Sequence, residues 1–172
     1  MIWFWYFLFY SFVGFLLEVT FARLTGGRRE RKMLLFLPLC PVYGLGACSI
    51  VWTAQAVTSP LLLFLTGLAL ASSWEYIAAA FYEDLLGISF WDYSDLPLDL
   101  HGRVCLPFSM AWGLLSFPLV NWLHPLIARI PFAPPLWVTA LMLTALCADA
   151  VMTCFLLAQT GQVESLAWYR RA

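Results

Sequence analysis

Five stretches of this sequence run for about the 20 residues needed to cross a hydrocarbon core and carry almost no charge. They are Ile2 to about Leu24, about Leu39 to Val57, Leu61 to about Tyr82, about Leu106 to Leu123, and about Pro135 to Ala158. Lipid offers no partner for an open backbone N–H or C=O, so each stretch must be helical. The expected fold is all-α: a polytopic integral membrane helical bundle of about five transmembrane helices, a single transmembrane domain over 1–172 with a polar loop at 83–105. Composition agrees, because a chain that is 63% hydrophobic and 11% charged could not cover a water-facing surface at the usual charge content of about 25%. The start of the second span is the least regular, since Pro38 and Pro41 interrupt it.

Lysine and arginine set the expected orientation. Arg23, Arg28, Arg29, Arg31 and Lys32 fall in the first connection, Arg103 in the third, and Arg170 and Arg171 in the tail; Arg129 alone falls on the other side. That pattern predicts a multi-pass protein of the cytoplasmic (inner) membrane with its N-terminus outside and its C-terminus cytoplasmic. The run "GGRRERK" is then a topology signal and not a nucleic-acid site. Met1 leads straight into apolar sequence with neither a basic n-region nor an A-x-A-like site, so the first span is read as retained.

Small residues at spacings of three and four mark the faces that membrane helices bury against one another. Ser11, Gly14, Glu18 and Ala22 form one such stripe, Gly67, Ala71, Glu75 and Ala79 a second, and Ala145, Asp149 and Thr153 a third; the fourth span offers Ser109, Gly113 and Ser116. Three helices thus place one carboxylate each in a small-residue stripe. At about 1.5 Å per residue, Glu18 and Glu75 lie roughly 10 Å inside the cytoplasmic boundary and Asp149 slightly deeper. Ionisable groups at that depth are costly facing lipid and mark functional sites by default. They are expected to surround a polar cavity open to the cytoplasm.

Beneath it lies "WDYSDLPLDLHGRVC", Trp91 to Cys105, with Asp92, Asp95, His101 and Arg103. Gly87, Pro97 and Gly102 argue against one continuous helix there, and the loop is expected to fold back into the mouth of the bundle. Arg103 is the expected cation nearest the buried carboxylates. Pro118, inside the fourth span, predicts a kink. No C-x-x-C or H-x-x-x-H spacing supports a metal site, and no metal or other cofactor is expected.

The segments "YSFVGFLLEV", "PLCPVYGLG", "WEY" and "WDYSDLPLDLHGRVCLPFSMAWG" resemble the small bacterial membrane proteins of the CmpB-like, type IV ABC-transporter permease family, over about residues 6 to 125. The resemblance implies a permease subunit served by a separate ATPase, and these 172 residues hold no G-x-x-x-x-G-K-[ST] motif of their own. It marks Glu18, Cys40, Pro41, Tyr43, Gly44, Glu75, Trp91, Asp92, Tyr93, Asp95, Gly102 and Arg103 as motif positions. Asp149 lies outside it. Five spans are few for a complete path, which favours a homodimer or a partner. The candidate polar cluster is Glu18, Tyr43, Glu75, Asp92, Asp95, His101, Arg103 and Asp149, binding a small or amphipathic solute. Two alternatives stand beside transport: a membrane enzyme acting on a lipid-type substrate, and a non-catalytic scaffold that binds a partner protein.

Overall fold

The computed structural model describes residues 1–25, 34–131 and 133–166. Helix α1 spans Ile2–Leu24, α2 Pro41–Ala54, α3 Pro60–Leu86, α4 Leu106–Ala128 and α5 Leu136–Thr160. Two-residue strands β1 (Asp99–Leu100) and β2 (Val104–Cys105) pair antiparallel in the connection between α3 and α4. Among the described residues four helices, α1, α3, α4 and α5, are long and apolar enough to cross a membrane. The protein is a helical membrane protein.

The second expected span differs. It was expected over 39–57 but is helical only over Pro41–Ala54, 14 residues, or about 21 Å at 1.5 Å per residue. Two prolines explain the difference. Cys40, before Pro41, is pushed into extended geometry (φ −114°, ψ 93°), and residues 34–40 carry no helix. Helix α2 runs antiparallel to α1: the Cys40 N–H donates to the Ser11 carbonyl (2.9 Å), and Cys48 Sγ lies 3.9 Å from the Trp3 carbonyl. It therefore begins near the middle of α1, preceded by the non-helical residues 34–40.

Helix α2 packs against α1 and α3, and α3 against α4. The stripe read from the sequence of α3 is the face it buries, Leu63, Gly67, Ala71, Glu75 and Ala79. Helices α3 and α4 approach closely at Gly113. A Cβ there would lie 2.6 Å from the Phe64 ring and 2.9 Å from the Phe64 carbonyl oxygen. Gly113→Ala is therefore expected to force the helices apart and to lower stability by about 1–3 kcal/mol, read as a lower unfolding temperature in detergent. Helix α4 loses regular geometry at Pro118, which is followed by a π-turn over Leu119–Leu123. Helix α5 is held at one end by the Trp5 indole N–H on Thr139 Oγ1 (3.2 Å), and at the other it joins a core of Leu34, Val42, Ile88, Phe90, Leu157 and Leu166.

Candidate functional site

Glu75 sits at the centre of the bundle and is 0% exposed. Its spacing of four from Ala71 and Ala79 puts it on the face of α3 that meets α2 and α4. Tyr93 donates its hydroxyl to Oε1 (3.0 Å), and Trp112 of α4 donates its indole N–H to Oε2 (2.9 Å). A carboxylate at this depth persists because it is hydrogen-bonded. Trp112 reaches it from the membrane helices and Tyr93 from the loop after α3.

That loop does fold back into the bundle, and its motif residues build the turn that delivers Tyr93. Asp92 Oδ1 accepts from the Ser94 N–H (2.9 Å), the Tyr93 N–H donates to the Gly102 carbonyl (2.7 Å), and the Trp91 indole donates to the Arg103 carbonyl (2.8 Å). Gly102 has φ +68°, and a Cβ there would lie 2.6 Å from Asp92 Oδ1, so backbone angle and space both favour glycine. Ile88, Phe90, Tyr93, Val104 and Cys105 are buried, while Asp92, Asp95, Asp99 and His101 stay on the outer face of the loop. The Tyr93 ring stacks on Phe108 at 4.8 Å.

Arg103 turns away from the interior. Its Nε donates to Glu83 (2.6 Å) and a terminal nitrogen to Asp84 (2.8 Å), both in the last turn of α3. Glu83 foremost raises the Arg103 guanidinium above its ordinary range, with Asp84 adding to it, so it stays charged. The guanidinium also lies 5.2 Å from the centre of the Tyr76 ring, whose hydroxyl is 3.0 Å from His101 Nδ1. Arg103 and His101 thus clamp the loop to the end of α3.

Glu18 of α1 accepts from the Tyr43 hydroxyl at 2.8 Å, and Tyr43 meets Trp112 edge to face with ring centres 4.8 Å apart. This pair stands between two lobes of a cleft walled by α1, α2 and α4. The lobe on one side, about 300 Å3, is bordered by Glu18, Thr20, Phe21, Phe108 and Ala111. The other, about 260 Å3, is bordered by Tyr10, Val13, Ala47, Ile50, Pro118 and Leu119, where α4 departs from regular helix. Leu17, Tyr43, Trp112 and Leu115 border both lobes.

Asp149 has a separate task. Its two oxygens accept the N–H groups of Phe36 (3.1 Å) and Leu37 (3.0 Å), and Tyr82 donates to the Leu34 carbonyl (3.2 Å). Non-helical backbone at membrane depth is tolerated where protein satisfies its polar groups, and Asp149 does so for the stretch before α2. The hydrogen bonds described for the three carboxylates therefore go to different parts of the structure. Cys40, Pro41 and Gly44 form the start of α2, with Gly44 closing on Ser11 and Phe7 of α1. Arg28, Arg29, Arg31, Lys32, Arg170 and Arg171 lie outside the described residues.

Trp112 joins the two lobes to Glu75, and sequence reasoning passed over it. A signal existed: tryptophan favours the membrane interfaces, whereas Trp112 lies well inside its span and next to a small-residue stripe. Among the described residues no group of three or more His, Cys, Asp or Glu side chains is placed to hold a metal ion. A family model described as "Putative ABC-transporter type IV" matches residues 5–156. No curated protein and no solved structure matches the chain.

Proposed function

Since this chain belongs to the ABC-transporter type IV family, we propose that it is the multi-pass membrane subunit of an ATP-driven transport assembly in the cytoplasmic membrane. A separate chain supplies the P-loop ATPase, and a second copy of this chain completes the path. The solute enters the cleft between α1 and α4. The observation that carries this reading is the double role of Trp112, which walls both lobes and donates to Glu75, the carboxylate on which Tyr93 of the loop also rests. A solute that displaced Trp112 would change the seat of Tyr93, and through it the loop surface carrying Asp92, Asp95, Asp99 and His101. With the N-terminus outside, as the basic residues favour, that surface faces the cytoplasm, where an ATPase would dock.

Affinity purification of the full chain from native membranes in mild detergent is expected to recover a P-loop ATPase in fixed ratio. Glu18→Gln and Glu75→Gln variants that insert and fold are expected to lose the transport phenotype. Recovery without an ATPase, together with a normal phenotype in both variants, would overturn the reading. The complete enclosure of Glu75 gives the scaffold reading one observation of its own, since buried hydrogen-bonded charges also specify an arrangement without any chemistry. Variants that lose stability alone, with transport intact in the molecules that remain folded, favour the scaffold.

A further inference from the structure

The reading of the cleft as the solute path leaves the class of solute open, and the walls of the cleft narrow it. In the lobe beside Pro118 the polar side chains are already engaged. The Tyr10 hydroxyl is 2.7 Å from His124 Nδ1, Ser116 Oγ donates to the Gly113 carbonyl at 2.6 Å, Tyr43 donates to Glu18, and the Trp112 indole to Glu75. A sugar, an ion or a peptide entering this lobe would lose its water and find few groups to replace it, at about 1–3 kcal/mol for each polar group left unpaired. Hydrocarbon loses nothing there and gains about 0.8 kcal/mol for each CH2 buried away from water.

The second lobe differs in carrying a carboxylate, and its one further polar side chain not shared with the first lobe, Thr20, donates its hydroxyl to the Leu16 carbonyl. Its wall is again apolar, with Phe21, Leu24, Phe108 and Ala111, but it carries Glu18 with the Tyr43 hydroxyl on it. The cleft is therefore apolar along its length, with a single carboxylate at one end. Along α1, the eight residues from Tyr10 to Glu18 correspond to about 12 Å, close to one leaflet of a hydrocarbon core about 30 Å thick. Leu17 of α1 and Leu115 of α4 border both lobes and are each 43% exposed, so the cleft is not sealed between these two helices.

We infer that the occupant of this cleft is a lipid amphiphile taken sideways from the bilayer, its acyl chain in the lobe beside Pro118 and a hydrogen-bonding headgroup against Glu18 and Tyr43. The inference rests on the cleft being the solute path; the class of solute is what it adds.

The test uses the full chain in phosphatidylethanolamine and phosphatidylglycerol vesicles doped with a phosphatidylethanolamine whose acyl chain carries a mid-chain diazirine. Irradiation, proteolysis and mass spectrometry then map the adducts. Adducts are expected on Val13, Ile50 and Leu119 inside the lobe, and on Trp137 and Val151, which are 69% exposed on the outside of α5. Ala47→Phe, which fills the lobe, is expected to lower the lobe adducts about tenfold, the loss that follows from tenfold weaker binding, with Trp137 and Val151 labelled as before. Leu115→Trp fills the lobe from the opposite wall and is expected to do the same, so misfolding of one variant does not decide the result. Lobe adducts that survive both substitutions, or that never form while Trp137 and Val151 are labelled, overturn the inference. The two readings fail separately: an ATPase recovered with no lobe adducts removes the lipid class, whereas lobe adducts with no ATPase and a normal Glu75→Gln phenotype remove the transport role and leave a lipid site.

Discussion

Replacing Glu75 by leucine is expected to lower the stability of the protein by about 2–6 kcal/mol, because one buried and one part-buried donor lose their acceptor at about 1–3 kcal/mol each. Tyr93 Oη–H and Trp112 Nε1–H both end on this side chain, and leucine supplies neither oxygen. Glu75→Gln keeps the volume and one acceptor and is expected to lose about half as much. The measurement is thermal or denaturant unfolding of the purified protein in detergent, with tryptophan fluorescence reporting the surroundings of Trp112. A leucine variant as stable as wild type would show that neither hydrogen bond contributes to holding the bundle.

Asp149→Ala is expected to be of similar size by a different route. The groups it strands are the backbone N–H groups of Phe36 and Leu37, in the stretch that precedes α2 and has no helix of its own to satisfy them. Two part-buried N–H groups without acceptors cost up to about 1–3 kcal/mol each, and Asp149→Asn, with one acceptor left, is expected to cost less than half of their sum. The two carboxylates should also differ in what they protect. Loss of Asp149 is expected to expose residues 34–40 to proteolysis while leaving the Tyr93 loop protected; loss of Glu75 should do the reverse. Identical cleavage patterns would contradict separate roles.

These separate roles show where sequence reasoning reached its limit. The four-residue spacing of Gly67, Ala71, Glu75 and Ala79 was enough to identify the buried face of α3, because helical periodicity alone decides which side chains share a stripe. Gly87, Pro97 and Gly102 were enough to suggest that the loop after α3 is not one helix and returns to the bundle. Depth counting also placed Glu18, Glu75 and Asp149 at similar levels, but depth says nothing about direction around a helix axis. That is set by which helices are neighbours, and Glu18 turns to Tyr43, Glu75 to Tyr93 and Trp112, and Asp149 to the backbone before α2. Arg103 illustrates the same gap. Its position in sequence pointed to the buried carboxylates, yet Glu83 and Asp84 lie nearer once the hairpin of β1 and β2 folds against the end of α3. The break before α2 was signalled by Pro38 and Pro41, though not the means by which the membrane tolerates it.

The central claim is that Glu75 ties the wall of the cleft to the loop, so that a change at Trp112 is felt at Tyr93. Hydrogen–deuterium exchange on Trp112→Phe tests it most directly, since phenylalanine keeps an aromatic ring in the wall while removing the donor to Glu75 together with part of the indole's volume. Faster exchange is expected at the amides of Tyr93 and Gly102, which are held by the Gly102 carbonyl and by Asp99, with the amides of α5 unchanged. Exchange at Tyr93 and Gly102 identical to wild type would mean that the loop is seated independently of the cleft, and would contradict the account.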